Sequence, residues 1–217
     1  MRSTLRMLMV PAAVVVLAAS AGCSSGVDDA AKGKSAEEIC GAIAKNAPAS
    51  TAFKAIAGEG NLEDTLAEPD RLLKDLRAAA LEPQSGKTRM KGIPFCWPRS
   101  AKDGKGVFML TFREALALPG RSADDEKVAT FFATGEQASS SDYYASVYFK
   151  CRMKAPAHEI LIDAELERAD ENEASEKSIR VHQITVANAA ARKVAADLGC
   201  QNDTKLVSGV PTPTPAQ

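Results

Sequence analysis

The chain has 217 residues, with 27 lysines and arginines against 28 acids, and therefore a net charge of −1 at pH 7. This balance disfavours nucleic acid as a partner, and also binding to an anionic bilayer through positive charge. The chain has only two histidines, and no two of its cysteines have the C-x₂-C spacing of a zinc site. The composition therefore predicts neither a metal site nor a cofactor.

The beginning of the chain has the three parts of an export signal. Two arginines supply positive charge, and residues 7–19 form an apolar run shorter than the roughly twenty residues of a membrane-spanning helix. Small residues then lead directly to Cys23. This pattern resembles the lipobox of bacterial lipoproteins, with Ser20 where that family usually has Leu. The resemblance implies that residues 1–22 are a signal peptide and that Cys23 is acylated.

This resemblance implies a location and a division of the chain. We expect a lipid anchor on the extracytoplasmic face of the cell membrane; a secreted chain cut near Ala21 and a transmembrane anchor stay open as alternatives. Residues 23–34 are small and polar and predict a flexible tether. Residues 209–217 are rich in Pro and Thr and predict a disordered tail. A single domain, residues 35–208, lies between them.

Four cysteines besides Cys23 predict two disulfides, because an even number in an exported chain usually pairs. Three pairings are possible. We favour Cys40–Cys96 and Cys151–Cys200, since each ties a predicted helix to a predicted strand. Each bond closes a loop of about fifty residues, worth about 4 kcal/mol in the chain-entropy model.

The first half of the domain predicts helices. Residues 35–38 form a capping box that opens a helix ending before Pro48. Residues 51–57 predict a further short turn. Pro69 suits the first turn of a helix whose leucines recur at helical spacing.

The second half predicts strands and one long helix. Apolar residues alternate in the later strands, and the last two form a hairpin with opposite charges on its outward face. Helical periodicity then continues through an alanine-rich segment to Gly199. The predicted strands span residues 93–97, 107–113, 145–153 and 159–167, and the helix spans residues 173–199.

These elements together predict an α+β fold. We expect an antiparallel sheet of about four strands, with N-terminal helices and a long C-terminal helix packed on one face. The order of elements and the pairs Cys40-Gly41 and Gly199-Cys200 resemble small lipoproteins of high-GC Gram-positive bacteria. That resemblance implies the same fold class and names no activity.

No catalytic motif has the context that its chemistry needs. Residues 22–26 match G-x-S-x-G, but no strand precedes them and no helix follows. His158-Glu159 is not H-E-x-x-H, because residue 162 is Ile, and His182 falls on the long helix. The acids between 163 and 176 lack the order of a calcium loop, and we interpret them as a solvated strand face and helix start.

The remaining signal is aromatic. Three tyrosines follow a serine-rich stretch, and two cations follow them on the same strand. Such residues make adaptable contacts with a partner, so we predict a partner-binding surface on the open side of the sheet, and we expect Trp97 to pack against a disulfide. The surface residues are Tyr143, Tyr144, Tyr148, Lys150 and Arg152.

The predicted function is a non-catalytic binding or envelope-interaction module. Its partners are the membrane, through the N-terminal lipid, and an extracytoplasmic protein or ligand. Two alternatives stay open, namely an extracytoplasmic hydrolase with an unrecognised site and a purely structural envelope protein.

Overall fold

The computed structural model describes residues 33–63, 68–82, 91–169 and 177–215, which all belong to one compact unit. The predicted signal peptide, Cys23 and most of the predicted tether lie outside these residues, as do the acids between 170 and 176. No helix in the described ranges is long and apolar enough to cross a bilayer.

The structure is α+β, as predicted, but it has more strands than expected. Its helices are a 3₁₀ helix (Cys40–Lys45), α1 (Ala47–Ala57), α2 (Pro69–Leu81), α3 (Asp125–Val128) and α4 (Lys177–Leu198). Its strands are β1 (Leu62–Glu63), β2 (Ile93–Cys96), β3 (Arg99–Ser100), β4 (Phe108–Ala115), β5 (Thr130–Phe132), β6 (Gln137–Ser140), β7 (Tyr144–Arg152) and β8 (Glu159–Arg168).

Six strands form one antiparallel sheet in the order β2-β4-β8-β7-β6-β5, and β1 pairs with β3 separately. The expectation of about four strands is too low because β5 and β6 are only three and four residues long. Such short strands show no alternation that a sequence pattern can detect. The predicted edge position of β2, on which Pro94 lies, is confirmed.

Alternation in β4, β7 and β8 directs one face of the sheet toward the helices. Phe112 and Phe149 are fully buried on this face, where α4 contacts β6, β7 and β8. The small side chains of Ala187 and Ala191 are also fully buried, so α4 lies close to the strands. Helix α1 in turn packs on α4. The core therefore occupies one side of the sheet only.

The N-terminal segment differs from the predicted helix. Ser35 N and Oγ donate to Glu38 Oε2 at 2.9 and 2.8 Å, so the reciprocal half of the capping box forms. The backbone then turns through positive φ at Gly41 and Ala42, which a regular α-helix does not tolerate. These residues lie within the irregular 3₁₀ helix, Cys40–Lys45, that takes the place of the predicted helix. Helix α1 begins afterwards, with Pro48 in its first turn, where no amide donor is needed.

The two predicted disulfides are confirmed. Cys40 pairs with Cys96 and Cys151 with Cys200, with Cα atoms 5.2 and 5.0 Å apart. The first joins the 3₁₀ helix to edge strand β2. The second joins β7 to the residue that follows Gly199, which ends α4 with a φ of 74°.

The C-terminal segment is ordered, and the predicted disordered tail is therefore wrong for the residues that the structure describes. Residues 209–215 run beside the outer edge of β5, where Phe132 and Pro213 form an antiparallel bridge. Ala133 N donates to Thr212 O, and Thr214 N donates to Phe131 O, both at 2.9 Å. Composition favours disorder here, but the unpaired backbone groups of an edge strand provide partners.

Candidate functional site

We call the face of the six-stranded sheet that is turned away from α1, α2 and α4 the open face. Its side chains come from alternate positions of β4, β7 and β8. Four of the five predicted binding residues point to this face, since they lie two or four residues apart on β7. The open face includes Thr111, Arg113, Tyr144, Tyr148, Lys150, Arg152, Glu159, Asp163, Glu165 and Glu167.

The three tyrosines have different surroundings. Tyr144 is 48% exposed, and its hydroxyl donates to Glu167 Oε1 at 3.0 Å. Tyr143 precedes the strand and is half-buried, and its carbonyl accepts from Arg168 N at 2.9 Å. Tyr148 is half-buried at the middle of the sheet. Of the three, only Tyr144 offers a large exposed aromatic surface.

The two predicted cations lie at the far end of the same strand. Lys150 and Arg152 are exposed, and their nitrogens lie 3.9 and 3.2 Å from the carboxylate of Glu159 on β8. The opposite charges expected across this hairpin therefore do meet. Both cations remain accessible, because exposed ion pairs of this kind are weak.

A charged cluster beneath Tyr148 was not predicted as a site. Arg113 Nη2 donates to Asp163 Oδ2 at 2.6 Å and to Glu165 Oε2 at 2.8 Å. Tyr148 and Asp163 are register partners on neighbouring strands. One guanidinium from β4 thus holds two carboxylates from β8 at the centre of the open face.

Asp163 is buried, which overturns its interpretation as part of a solvated strand face. The residue is 0% exposed. Burial raises the pKa of its carboxyl above the usual value, and the neighbouring Arg113 acts in the opposite direction. Burial and the charge of Asp163 also raise the pKa of Tyr148 to about 12.

One oxygen of this carboxylate has no partner among the described residues. Arg113 occupies Oδ2, whereas Asp163 Oδ1 is buried and accepts no hydrogen bond. A buried acceptor left in this state costs about 1–3 kcal/mol. Such an atom marks a place where a ligand or a water can be accommodated.

The burial of Asp163 is explained by the segment that follows β4. Residues 116–119, which we call the strap, lie over the centre of the open face and border a partly open pocket of about 200 Å³. Leu116, Leu118 and Pro119 supply apolar wall, and Arg113, Tyr148 and Asp163 supply the polar part. The lining is more polar than apolar, so the feature that it shares with small-molecule sites is the set of convergent polar groups.

The other candidate residues lie elsewhere. His158 stands at the hairpin, where its amide donates to Ala80 O at 2.7 Å, and His182 lies on α4. Across the described ranges, no three His, Cys, Asp or Glu residues are placed to hold a metal ion. Trp97 is 45% exposed beneath the guanidinium of Arg99 at 5.7 Å, so it is not the buried partner of a disulfide that we expected.

Sequence reasoning missed the cluster because its members are far apart in the chain. Arg113 and Asp163 are separated by 50 positions and meet only through the β4–β8 pairing. The sequence did contain one indication of this cluster. Arg113 lies at an outward position near the end of the predicted strand, where a single cation can pair with an acid on the neighbouring strand. No pattern along the chain indicates that the strap covers this pair.

The chain matches no family model, no curated protein and no solved structure.

Proposed function

We propose that this protein is a non-catalytic binding module, held by a lipid on Cys23 at the extracytoplasmic face of the cell membrane. It uses the open face of the sheet, with the pocket at its centre, to bind an extracytoplasmic protein or ligand. The observation that carries this proposal is the one-sided arrangement of the fold. Among the described residues, α1, α2 and α4 pack on one side, and the other face presents Tyr144, Lys150 and Arg152 on β7, the strand whose Tyr148 lines the pocket.

The construction of the domain supports this use. Two disulfides brace the helices against β2 and β7, and the open face lies mainly on the three longest strands of the sheet. A surface on such strands changes little when it binds, so less conformational entropy is lost. Tyrosine contributes large contact area with few rotatable bonds, which is why it is enriched at interfaces.

Photocrosslinking on intact cells tests the binding proposal. A photoreactive residue is placed at position 144, and the same residue at position 81 serves as the control. Leu81 is 56% exposed but lies on α2, on the helical side of the sheet. We expect a specific crosslinked species from position 144 only. With the photoreactive residue moved to the exposed position 150, Tyr144→Ala should reduce capture at least fivefold with little change in melting temperature, whereas Leu81→Ala should not.

Two outcomes contradict the binding proposal. Equal capture from positions 81 and 144 would show that the open face is not the contact surface. Turnover of an ester, peptide or glycan substrate by the purified protein, abolished in Asp163→Asn, would show that the pocket is catalytic.

The anchor has a separate test. We expect Cys23→Ala to release the protein from the membrane or to leave it unprocessed, because the thiol of Cys23 is the proposed attachment point of the lipid. Metabolic labelling with a fatty-acid analogue measures this directly. Label retained by the Cys23→Ala variant would rule out the lipid assignment.

A further inference from the structure

We propose that the pocket under the strap binds an alkylammonium group, with an N–H of the ligand donating to Asp163 Oδ1. This inference rests on the proposed function, since it names the chemistry that the open face recognises. It also goes beyond it, because it commits to one site and one class of ligand.

The first requirement is a hydrogen-bond donor. Asp163 Oδ1 is a buried acceptor without a partner, and Asp163 forms part of the pocket wall. A ligand that satisfies this oxygen must supply an N–H or an O–H, because a carboxylate only accepts. A ligand whose polar atoms are all acceptors leaves Asp163 Oδ1 without a hydrogen-bond donor.

The second requirement is positive charge. Arg113 is the one cation in the pocket wall, and its Nη2 already bonds to both Asp163 and Glu165. One guanidinium against two carboxylates leaves the cluster with a net charge of −1. A cation gains Coulomb energy here, more so than in water because the site is partly desolvated, and an anion is repelled. An ammonium is therefore favoured over a neutral hydroxyl.

The third requirement concerns the size and the walls. A pocket of about 200 Å³ holds only a small group, since a water occupies about 30 Å³ of the liquid. The strap lines it with the side chains of Leu116, Ala117, Leu118 and Pro119. These walls suit the methylene groups of an aliphatic stem. A primary amine on an alkyl chain meets all three requirements, and both a free diamine and a lysine side chain carry one.

Contact with Asp163 Oδ1 requires the strap to move, because Asp163 has no exposed surface. The strap suits this role. Residues 117–119 are exposed, and residues 116–119 make none of the backbone hydrogen bonds that join non-adjacent parts of the described chain. Segments with few such bonds open at low free-energy cost.

Calorimetric titration of the purified mature domain tests the proposal. The probes are 1,5-diaminopentane, Nα-acetyl-lysine methylamide and, as the uncharged control, 1-pentanol. We expect both amines to bind and 1-pentanol not to bind. Stronger binding of the diamine indicates a free amine as the natural ligand, and stronger binding of the lysine derivative indicates a lysine side chain of a partner.

Two variants locate the binding. Asp163→Asn removes the proposed acceptor charge and should weaken amine binding at least tenfold. Glu167→Gln makes the same change of charge on the same strand and face, outside the pocket, and should weaken it less than twofold. Equal losses in the two variants would show a diffuse attraction to an acidic face and overturn the proposal. Absence of amine binding to the parent would also overturn it and indicate a pocket that holds only water.

A third variant keeps the test decisive if Asp163→Asn does not fold. Leu118→Trp fills the pocket from an exposed strap position, since Leu118 is 41% exposed, and leaves every charge in place. It should abolish amine binding without loss of fold by circular dichroism, and retained binding would overturn the proposal. Failure of the amine titrations is distinguishable from failure of the proposed function, because crosslinking from position 144 reports on the face as a whole.

Discussion

Asp163 faces away from the helices and yet is fully buried, because the strap covers it. The groups that act on its carboxyl come from three elements: Arg113 on β4 and Tyr148 on β7 bond to it, and Glu165 on β8 is a neighbouring like charge. A carboxyl in this position is held by one strong charge-assisted hydrogen bond and penalised by burial. The raised pKa shows that burial has the larger effect.

This raised pKa predicts how stability depends on pH. A carboxyl whose pKa is higher in the folded state than in the unfolded chain stabilises the fold relatively more in acid, and this contribution is lost as the pH rises through the folded pKa. The unfolding free energy of the parent minus that of Asp163→Asn should therefore decrease as the pH rises from about 4, near the pKa of an unfolded aspartate, through the raised pKa of the folded carboxyl. The decrease should be about 1.4 kcal/mol per unit by which the pKa is raised.

Urea unfolding of both proteins across this pH range checks the prediction, with Glu167→Gln as the control for removal of an acid from the open face. Arg113 and Glu165 remain in all three proteins, so the comparison isolates Asp163. A difference that grows toward neutral pH would mean that the pairing with Arg113 outweighs burial.

Among the elements, β4 shows most clearly how one strand serves two surfaces. Phe108 and Phe112 are fully buried on the helical side, where they meet the rings of Phe53 and Phe95 edge-on at 5.0 and 5.5 Å. Thr111 and Arg113 point to the open face. The strand therefore contributes its apolar half to the core and its polar half to the candidate site.

Substitutions on the two faces of β4 should therefore change the free energy of unfolding by different amounts. Phe112→Ala should destabilise the domain by about 3–5 kcal/mol, because it leaves a cavity in a closely packed core. Thr111→Ala, one residue away on the other face, should cost about 1 kcal/mol or less. Chemical denaturation of the two variants gives the comparison. Similar losses would show that the open face is packed as tightly as the core.

The C-terminal segment is an element that protects an edge. It supplies two backbone hydrogen bonds to β5, and Phe132 lies buried where Pro213 bridges it. An uncovered edge strand is a template for pairing with another chain.

Deletion of residues 210–217 should therefore have two effects. Stability should fall by about 2 kcal/mol, from two hydrogen bonds worth about 1 kcal/mol each. The shortened protein should also self-associate through the edge of β5, as measured by light scattering against concentration. Deletion of residues 216–217 alone keeps Thr212 and Thr214 and is the matched control. A monomeric protein of unchanged stability after the longer deletion would show that the segment does not protect the edge.

In the whole molecule, the two disulfides stabilise different parts of the fold. Cys40–Cys96 spans 56 positions and secures the N-terminal 3₁₀ helix, while Cys151–Cys200 spans 49 and secures the end of α4. Loop length governs the entropy that a crosslink removes from the unfolded chain, and these lengths are nearly equal.

The paired serine variants Cys40→Ser/Cys96→Ser and Cys151→Ser/Cys200→Ser should therefore each lose about 4 kcal/mol. Urea unfolding under non-reducing conditions measures both. A loss of less than 1 kcal/mol for either pair would show that its bond adds little beyond the surrounding packing.

The sequence by itself determined the elements whose signal is local. The alternation of β4, β7 and β8, the start of α2 at Pro69 and the end of α4 at Gly199 follow from periodicity and turn chemistry, and the presence of two disulfides follows from the number of cysteines. The choice among the three pairings depends in addition on the helices and strands predicted around the cysteines. Only the tertiary structure decided the rest. Short strands β5 and β6 exist because neighbouring strands supply their hydrogen bonds, and the final segment is ordered because an edge was available. The burial of Asp163 was likewise decided by the tertiary structure. An acid on an outward strand position is solvated unless another part of the chain folds over it, and the strap does so here through contacts that no spacing along the sequence specifies.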